Sequence, residues 1–228
     1  MHSDERRERI AAIGGLLFPL SIIMLIAWPP PENVQWPSPA PAPEELVTFY
    51  RESGGYLLIT NAINVLGILL GIGFFWSLYR VLSRAQPPSR ATSTTGYAAG
   101  LLGSAVAIAS VVLLAVPAAI MMGTQAMRTA WDLSGLLDSL SLLIAVVAVG
   151  ASSMAILRSG VLPRWLGYYG LAVTLALLVL EITQFASAAY LDGPRNIVFF
   201  AFLIWIGATS IVLVSMRRRS PTGTPSLR

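Results

Sequence analysis

"LLVLEITQF", Leu177 to Phe185, sets one carboxylate inside a run apolar enough to lie within a membrane. Each Leu, Ile, Val or Phe in such a span favours insertion by about 0.3 to 0.6 kcal/mol. A carboxylate near the bilayer centre costs roughly 2.5 to 3.5 kcal/mol even on the mildest scale. The segment therefore inserts in spite of Glu181, and nothing about insertion requires that residue.

The rest of the chain has the same character. Hydrophobic residues make up 55% of the 228, charged residues only 11%, and the mean hydropathy is +0.71. These values lie well outside the range of soluble domains and define an integral membrane protein. Six stretches are long enough to cross a hydrocarbon core, which takes about 20 helical residues. They fall at about 10–28, 56–81, 96–122, 133–157, 165–190 and 197–216. The expected fold is thus all-α and polytopic: one transmembrane domain of six helices. "RRER" (6–9) ahead of an apolar run also fits a signal peptide, but the run is long for one and small-residue cleavage sites lie far downstream among prolines, which favours an uncleaved first helix.

Arginine placement predicts orientation, because cytoplasmic loops retain positive charge. With the N-terminus inside, Arg6, Arg7, Arg9, Arg80, Arg84, Arg90, Arg158, Arg164, Arg217, Arg218, Arg219 and Arg228 are cytoplasmic, twelve of the fifteen cations. Arg51, Arg128 and Arg195 fall one to each external loop. Both termini are therefore expected in the cytoplasm. Trp28, Trp131 and Tyr190 sit at predicted outer ends, and Tyr79 and Trp165 at inner ends, where an aromatic belt belongs. The all-arginine cation set suggests a GC-rich bacterial genome, and hence a bacterial plasma membrane.

Outside the spans the chain offers little. Residues 29–55 read as a proline-rich external loop whose "PPPENVQWPSPAPAP" is a stiff spacer, with "PEELVTFYRE" forming a short surface helix before the second span. Residues 217–228 read as a basic disordered tail that stops transfer. "GILLG" (67–71) is a GxxxG match, and Gly96, Gly100 and Ser104 repeat the spacing on the third span. Small residues let membrane helices approach closely, here within one bundle or, as the sharper reading, along a homodimer seam. Pro19 and Pro117 lie inside spans and are expected to kink or unwind them.

"AILRSGVLPRWLGYYGLAV" (155–173) carries the one familiar pattern. The basic loop, the run Leu162-Pro163-Arg164-Trp165-Leu166 and the glycine-bearing helix after it resemble a bacterial six-helix membrane family catalogued as a domain of unknown function, number four-three-eight-six. Overall length and the arginine-led first helix share that layout. The resemblance implies a compact helical membrane protein and no catalytic residue. Read physically, Pro163 starts a helix at its first position, Arg158 and Arg164 hold the loop in the cytoplasm, and Trp165 anchors at the headgroups.

Most intramembrane chemistry needs residues that are missing. With no cysteine there is no disulfide, thiolate nucleophile or thiolate metal site. With His2 as the one histidine, no span can supply bis-histidine haem, a histidine-based protease or phosphatase, or an HExxH zinc site. Lysine is absent, which removes a retinal Schiff base and a Walker loop. No catalytic residue, metal or cofactor is expected, and an enzyme is the least supported class.

A lopsided set of polar residues remains. Glu181 shares a helical stripe with Thr174 and Gln184. Thr60, Asn61 and Asn64 occupy the outer third of the second span, Asp138 and Ser141 that of the fourth, and Gln125 and Arg128 lie above. Each has a plainer reading: Asn61 and Asn64 as interhelical glue, Asp138 near a first helical turn favoured by the dipole, Arg128 as a snorkelling charge. The sharper expectation is an outward-facing pocket between the second, third, fourth and fifth spans that binds a small molecule or proton through Glu181, Gln184, Asn61, Asn64, Asp138 and Arg128, with Arg128 as counter-charge to Glu181. Ser152, Ser153, Thr209 and Ser210, on the other half, are expected to bond to their own backbone. The expected function is a membrane protein with a binding pocket. Its alternatives are a small ion- or proton-coupled transporter, and an envelope sensor, scaffold or assembly factor. The lipid bilayer is the certain partner, and no nucleic acid is expected.

Topology can be read directly. Reporter fusions after Ser83, Gly160 and Arg228 should report cytoplasm, and those after Ser38, Thr129 and Asp192 the external side. An external signal at Arg228 would rule out six spans with an internal N-terminus.

Overall fold

The computed structural model describes residues 2–28, 30–31, 36–38, 41–84, 87–120, 122–187 and 192–218, with side chains described except at 2–9, 11–12, 87–89, 184–187, 192–195 and 217–218. It is all-helical, with six helices: α1 His2–Ala27, α2 Pro43–Leu82, α3 Pro87–Ile120, α4 Thr124–Ser159, α5 Arg164–Ser187 and α6 Asp192–Arg218. Five of them, α2 to α6, are long and apolar enough to cross a membrane, and α1 carries a shorter apolar stretch, Ile13–Ala27. The expected tail lies, beyond Arg218, outside the described residues.

Consecutive helices touch around a closed circuit, α6 returning to α1, while α2 also meets α4 and α6. No Cα of α5 comes within 8 Å of one of α1, α2 or α3 among the described residues. Helices in lipid gain nothing from hiding leucine from leucine, so close approach and hydrogen bonds hold them together. Glycine supplies the approach. A Cβ on Gly67 would strike the Ser21 hydroxyl of α1, and one on Gly71 would sit 3.7 Å from the Phe18 ring. The "GILLG" stripe therefore faces α1 of the same chain. On α3, Gly96 abuts Ser152 of α4 and Gly100 abuts the Phe75 ring of α2.

Hydrogen bonds between helices complete the bundle. Ser110 Oγ donates to the Ser134 carbonyl at 2.8 Å, Tyr169 Oη to the Ala201 carbonyl at 3.0 Å, and Trp205 Nε1 to the Leu166 carbonyl at 3.1 Å. Trp205 is fully buried and edge-on to Phe74, so one side chain joins α6 to α5 and α2. Large side chains such as Leu66, Leu102, Leu136, Leu175 and Ile204 stand exposed around the outside, as a lipid-facing surface requires.

Three helices overrun the bundle. At about 1.5 Å per residue the 40 residues of α2 extend about 60 Å, twice a hydrocarbon core of about 30 Å. The Tyr56 hydroxyl donates to the Trp28 carbonyl at 3.1 Å, which sets the end of α1 level with Tyr56. The thirteen residues of α2 before that level, 43–55, run on together with the end of α3 and the start of α4. Leu46, Phe49, Tyr50, Leu57 and Met127 form a second apolar cluster there. Instead of a loop to residue 55 with a short separate helix, Pro43 begins one continuous helix. Its start is capped by Glu45, which accepts from the Ala42 N–H at 3.3 Å and the Ser38 N–H at 2.7 Å. Those donors, Ser38 foremost, hold the exposed Glu45 carboxyl below its usual range.

Other expectations shift with these boundaries. Since α4 begins at Thr124, Asp138 lies about four turns into the helix, beyond the reach of a first-turn dipole effect. α1 and α3 run through Pro19 and Pro117 without a break in helix, so neither proline unwinds its span. Pro163 sits one place before α5, its carbonyl accepting from the Leu166 N–H at 3.1 Å.

Replacing Gly67 and Gly71 together by leucine should lower the yield of folded protein severalfold, because Ser21 and Phe18 occupy the space the new side chains need. Monodisperse yield after size-exclusion chromatography checks it. Unchanged yield would mean that the α1–α2 contact is dispensable.

Candidate functional site

α2 and α4 both enter the bundle from the end that carries the proline-rich segment, and both become less polar as they descend. Along α2 the inward residues run Tyr56, Thr60, Asn61 and Asn64, then Ile68, Gly71 and Phe75; along α4 they run Asp138 and Ser141, then Leu142, Ala145 and Ala148. Opposite them α3 presents mainly small residues, Ala99, Gly100, Gly103, Ser104 and Ala107. Phe75 packs into the room at Gly100 and Ile144 into that at Gly103, while space remains between the walls. The result is a cavity of about 460 Å³, bordered on its other sides by Phe18 and Ile22 of α1, Asn196, Phe199 and Phe202 of α6, and Trp36. That volume lies within the ordinary range for small-molecule pockets, roughly 300 to 1,000 Å³.

The hydroxyls on this lining are already committed. Thr60 donates to the Tyr56 carbonyl at 2.8 Å, Ser104 to that of Gly100 at 2.8 Å, and Ser141 to that of Asp138 at 2.7 Å. Asp138 also interacts with another group within the protein. Asn61 differs. Its side chain is only 9% exposed and its Nδ2 has no hydrogen-bond partner among the described residues. An unpaired buried amide donor costs about 1 to 3 kcal/mol.

The six expected site residues do not form one cluster. Asn61, Asn64 and Asp138 line the cavity. Glu181 is fully buried, on the bundle-facing stripe of α5 with Val173, Leu177 and Leu180, while Leu175, Val179 and Ile182 face outward. Among the described residues no part of α5 contributes to the lining, so the cavity belongs to α1, α2, α3, α4 and α6 rather than to the second to fifth helices. Glu181 is engaged by another group, and the side chain of Gln184 lies outside the described residues.

Arg128 takes a different role from the expected counter-charge. Its Nε donates to the Asp132 carboxylate at 2.9 Å and its Nη1 to the Pro41 carbonyl. It thereby clamps the proline-rich segment to the start of α4, beside the ring contacts of Phe49 with Trp36 (5.3 Å) and Trp131 (5.9 Å). The buried hydroxyls of the opposite half also depart from expectation. Ser153, Thr209 and Ser210 lack the backbone bonds read for them, and have no partner among the described residues.

Sequence reasoning missed Asn196, Phe199 and Phe202 of α6 and the whole α1 wall. A signal existed for α6, since Asn196 and Phe199 are three residues apart and so share a face.

Asn61→Leu separates the two readings of this amide. Glue between helices would make the change destabilising. An unpaired donor makes it stabilising, by a few degrees in melting temperature, because the desolvation penalty of about 1 to 3 kcal/mol disappears. Thermal unfolding of the purified variant reads the sign. No protein-family model, curated protein or solved structure matches the chain, so the chemistry of the cavity rests on its own residues.

Proposed function

We propose that this chain is a multi-pass protein of a bacterial plasma membrane, with six spans and both termini in the cytoplasm, that binds a small molecule in the cavity between α1, α2, α3, α4 and α6. The observation that carries the reading is a cavity of about 460 Å³ whose lining gathers Asn61, Asn64 and Asp138. The twelve-to-three division of arginines supports the orientation, in which the polar end of the cavity lies toward the external side. Kinship with the six-helix family of unknown function is part of the proposal, supported by the Leu162–Leu166 loop.

A second reading, a small ion- or proton-coupled transporter, draws support from Glu181, since a fully buried carboxyl in a membrane helix is a functional candidate by default. It differs in what one substitution does. Glu181→Gln keeps shape and hydrogen-bonding capacity but cannot titrate, so a transporter would lose pH-dependent flux in proteoliposomes, while a binding protein without transport would be unaffected.

The binding proposal is tested by organic extraction and mass spectrometry of protein purified from its native membrane. A small molecule near one per chain should accompany the wild type and be lost, at least tenfold, from Ala107→Trp, which fills the cavity from α3. Ala145→Phe does the same from α4 and guards against a folding failure in the first variant. Identical extracts from folded forms of all three would refute the proposal.

A further inference from the structure

The Leu162–Leu166 loop takes no part in the central cavity, yet it borders a hollow of its own. Where α4 turns into α5, residues 160–164 face Val212, Ser215 and Met216 of α6 across an open space of about 570 Å³. It shares no lining residue with the central cavity, so the two sites stand or fall separately. We infer that this hollow holds the headgroup of an anionic phospholipid, with its phosphate on the Arg164 guanidinium and the start of its chains on Val212 and Met216.

The turn makes the space. Gly160 leaves α4 at φ 63°, in the left-handed region, and the chain reverses before α5 begins at Arg164. A Cβ on Gly160 would meet nothing within 4 Å, so this side of the turn is open. Leu162 is buried in the core and pins the backbone between Gly160 and Arg164. Its neighbours Pro163 and Arg164 are left exposed.

Charge identifies the head of the ligand. Arg164 lines the hollow, and Arg158 lies in the last turn of α4, just before Gly160. Both are exposed, and neither has a hydrogen bond or ion pair among the described residues. The described carboxylates are remote. Glu44, Glu45, Glu52 and Asp132 belong to the opposite end, Asp138 lines the central cavity, and Glu181 stands 17 residues beyond Arg164 on α5, about 25 Å along the helix. A guanidinium presents a planar fork of donors that matches phosphate oxygens, and one without a partner attracts an anion and repels a cation.

The rest of the wall separates a lipid from a soluble phosphate. Val161, Leu162, Pro163, Val212 and Met216 give the hollow a largely apolar lining, which a free phosphate would not use. Trp165, beside Arg164, and Tyr168, one turn further, are both exposed, as aromatic anchors at headgroup level are. Arg164 therefore lies at the depth of phospholipid phosphates, with apolar surface beside it for the chains.

The test counts lipids bound to delipidated full-length protein in detergent by native mass spectrometry. Its probes are phosphatidylglycerol and phosphatidylcholine of matched chains, and glycerol 3-phosphate. The wild type should take its first phosphatidylglycerol at least fivefold more tightly than phosphatidylcholine, and should not retain glycerol 3-phosphate. Arg164→Gln should weaken phosphatidylglycerol about fivefold, the effect of one basic side chain near an anionic headgroup, and leave phosphatidylcholine within about twofold. Ser215→Trp fills the hollow from α6 without changing charge, should weaken the first phosphatidylglycerol at least as much, and serves where Arg164→Gln fails to fold. Arg90→Gln is the control. It removes the same charge at the same end of the bundle, from α3, none of whose described Cα atoms comes within 8 Å of α5 or α6, and it should leave phosphatidylglycerol binding within about twofold. Equal losses in Arg90→Gln and Arg164→Gln would mean a diffuse basic surface and overturn the site. Equal affinity of the wild type for the two lipids, or unchanged binding in Ser215→Trp, would overturn it as well. Glycerol 3-phosphate bound as tightly as the lipid would overturn the lipid assignment in favour of a soluble phosphate.

Discussion

Close approach of backbones is the constraint on which the bundle depends. Lipid tails are as apolar as the side chains they meet, so burial supplies little drive for association within a membrane, and helices associate where small residues let them touch. Gly67 and Gly71 of α2 accept α1, while Gly96 and Gly100 of α3 accept α4 and α2. Gly170 of α5 lies against Ser153 and Trp205. Each contact fixes a rotation of one helix against the next, and the rotations decide which residues look inward.

The same small residues make the cavity. α3 is pulled close to its neighbours at Gly96, Gly100 and Gly103, where Ser152, Phe75 and Ile144 pack in, and its inward face continues as Ser104 and Ala107, which border the cavity. Phe75 packs on Gly100 and also borders the space. The extension of α2, α3 and α4 lies beyond the end of the lining marked by Tyr56. Arg128 and Glu45 hold the segment around Trp36, Ser38 and Pro41 against it, which brings Trp36 onto the lining.

The class of fold was legible because hydropathy reports lipid crossing, and all six apolar stretches became helices. Helix ends were not, because the segments that overrun the bundle, such as 43–55, alternate charge and apolar residues on a helix that packs on two others instead of on lipid. A polarity window cannot distinguish that from a surface loop. For the site, periodicity placed Glu181 on the inward stripe of α5 and Asn61 and Asn64 on one face of α2. It could not tell which helices adjoin. That α5 keeps clear of α2, and that α1 and α6 wall the cavity, follow from the order of helices around the circuit. The partner of Arg128 was hidden for the same reason, although Asp132 four residues on was an available i, i+4 acceptor.

Direct chemical access to the interior tests the central claim, a cavity within the bundle whose polar lining lies toward one end. The chain has no cysteine, so single replacements give an unambiguous signal. Asn64→Cys and Ser141→Cys place a thiol on the lining, while Val149→Cys places one in the sealed core, where the native side chain is fully buried. A small water-soluble thiosulfonate applied to the folded protein should modify positions 64 and 141 at least tenfold faster than 149. Equal inertness at all three positions, in variants that remain folded, would mean that the helices close over this space and would contradict the cavity.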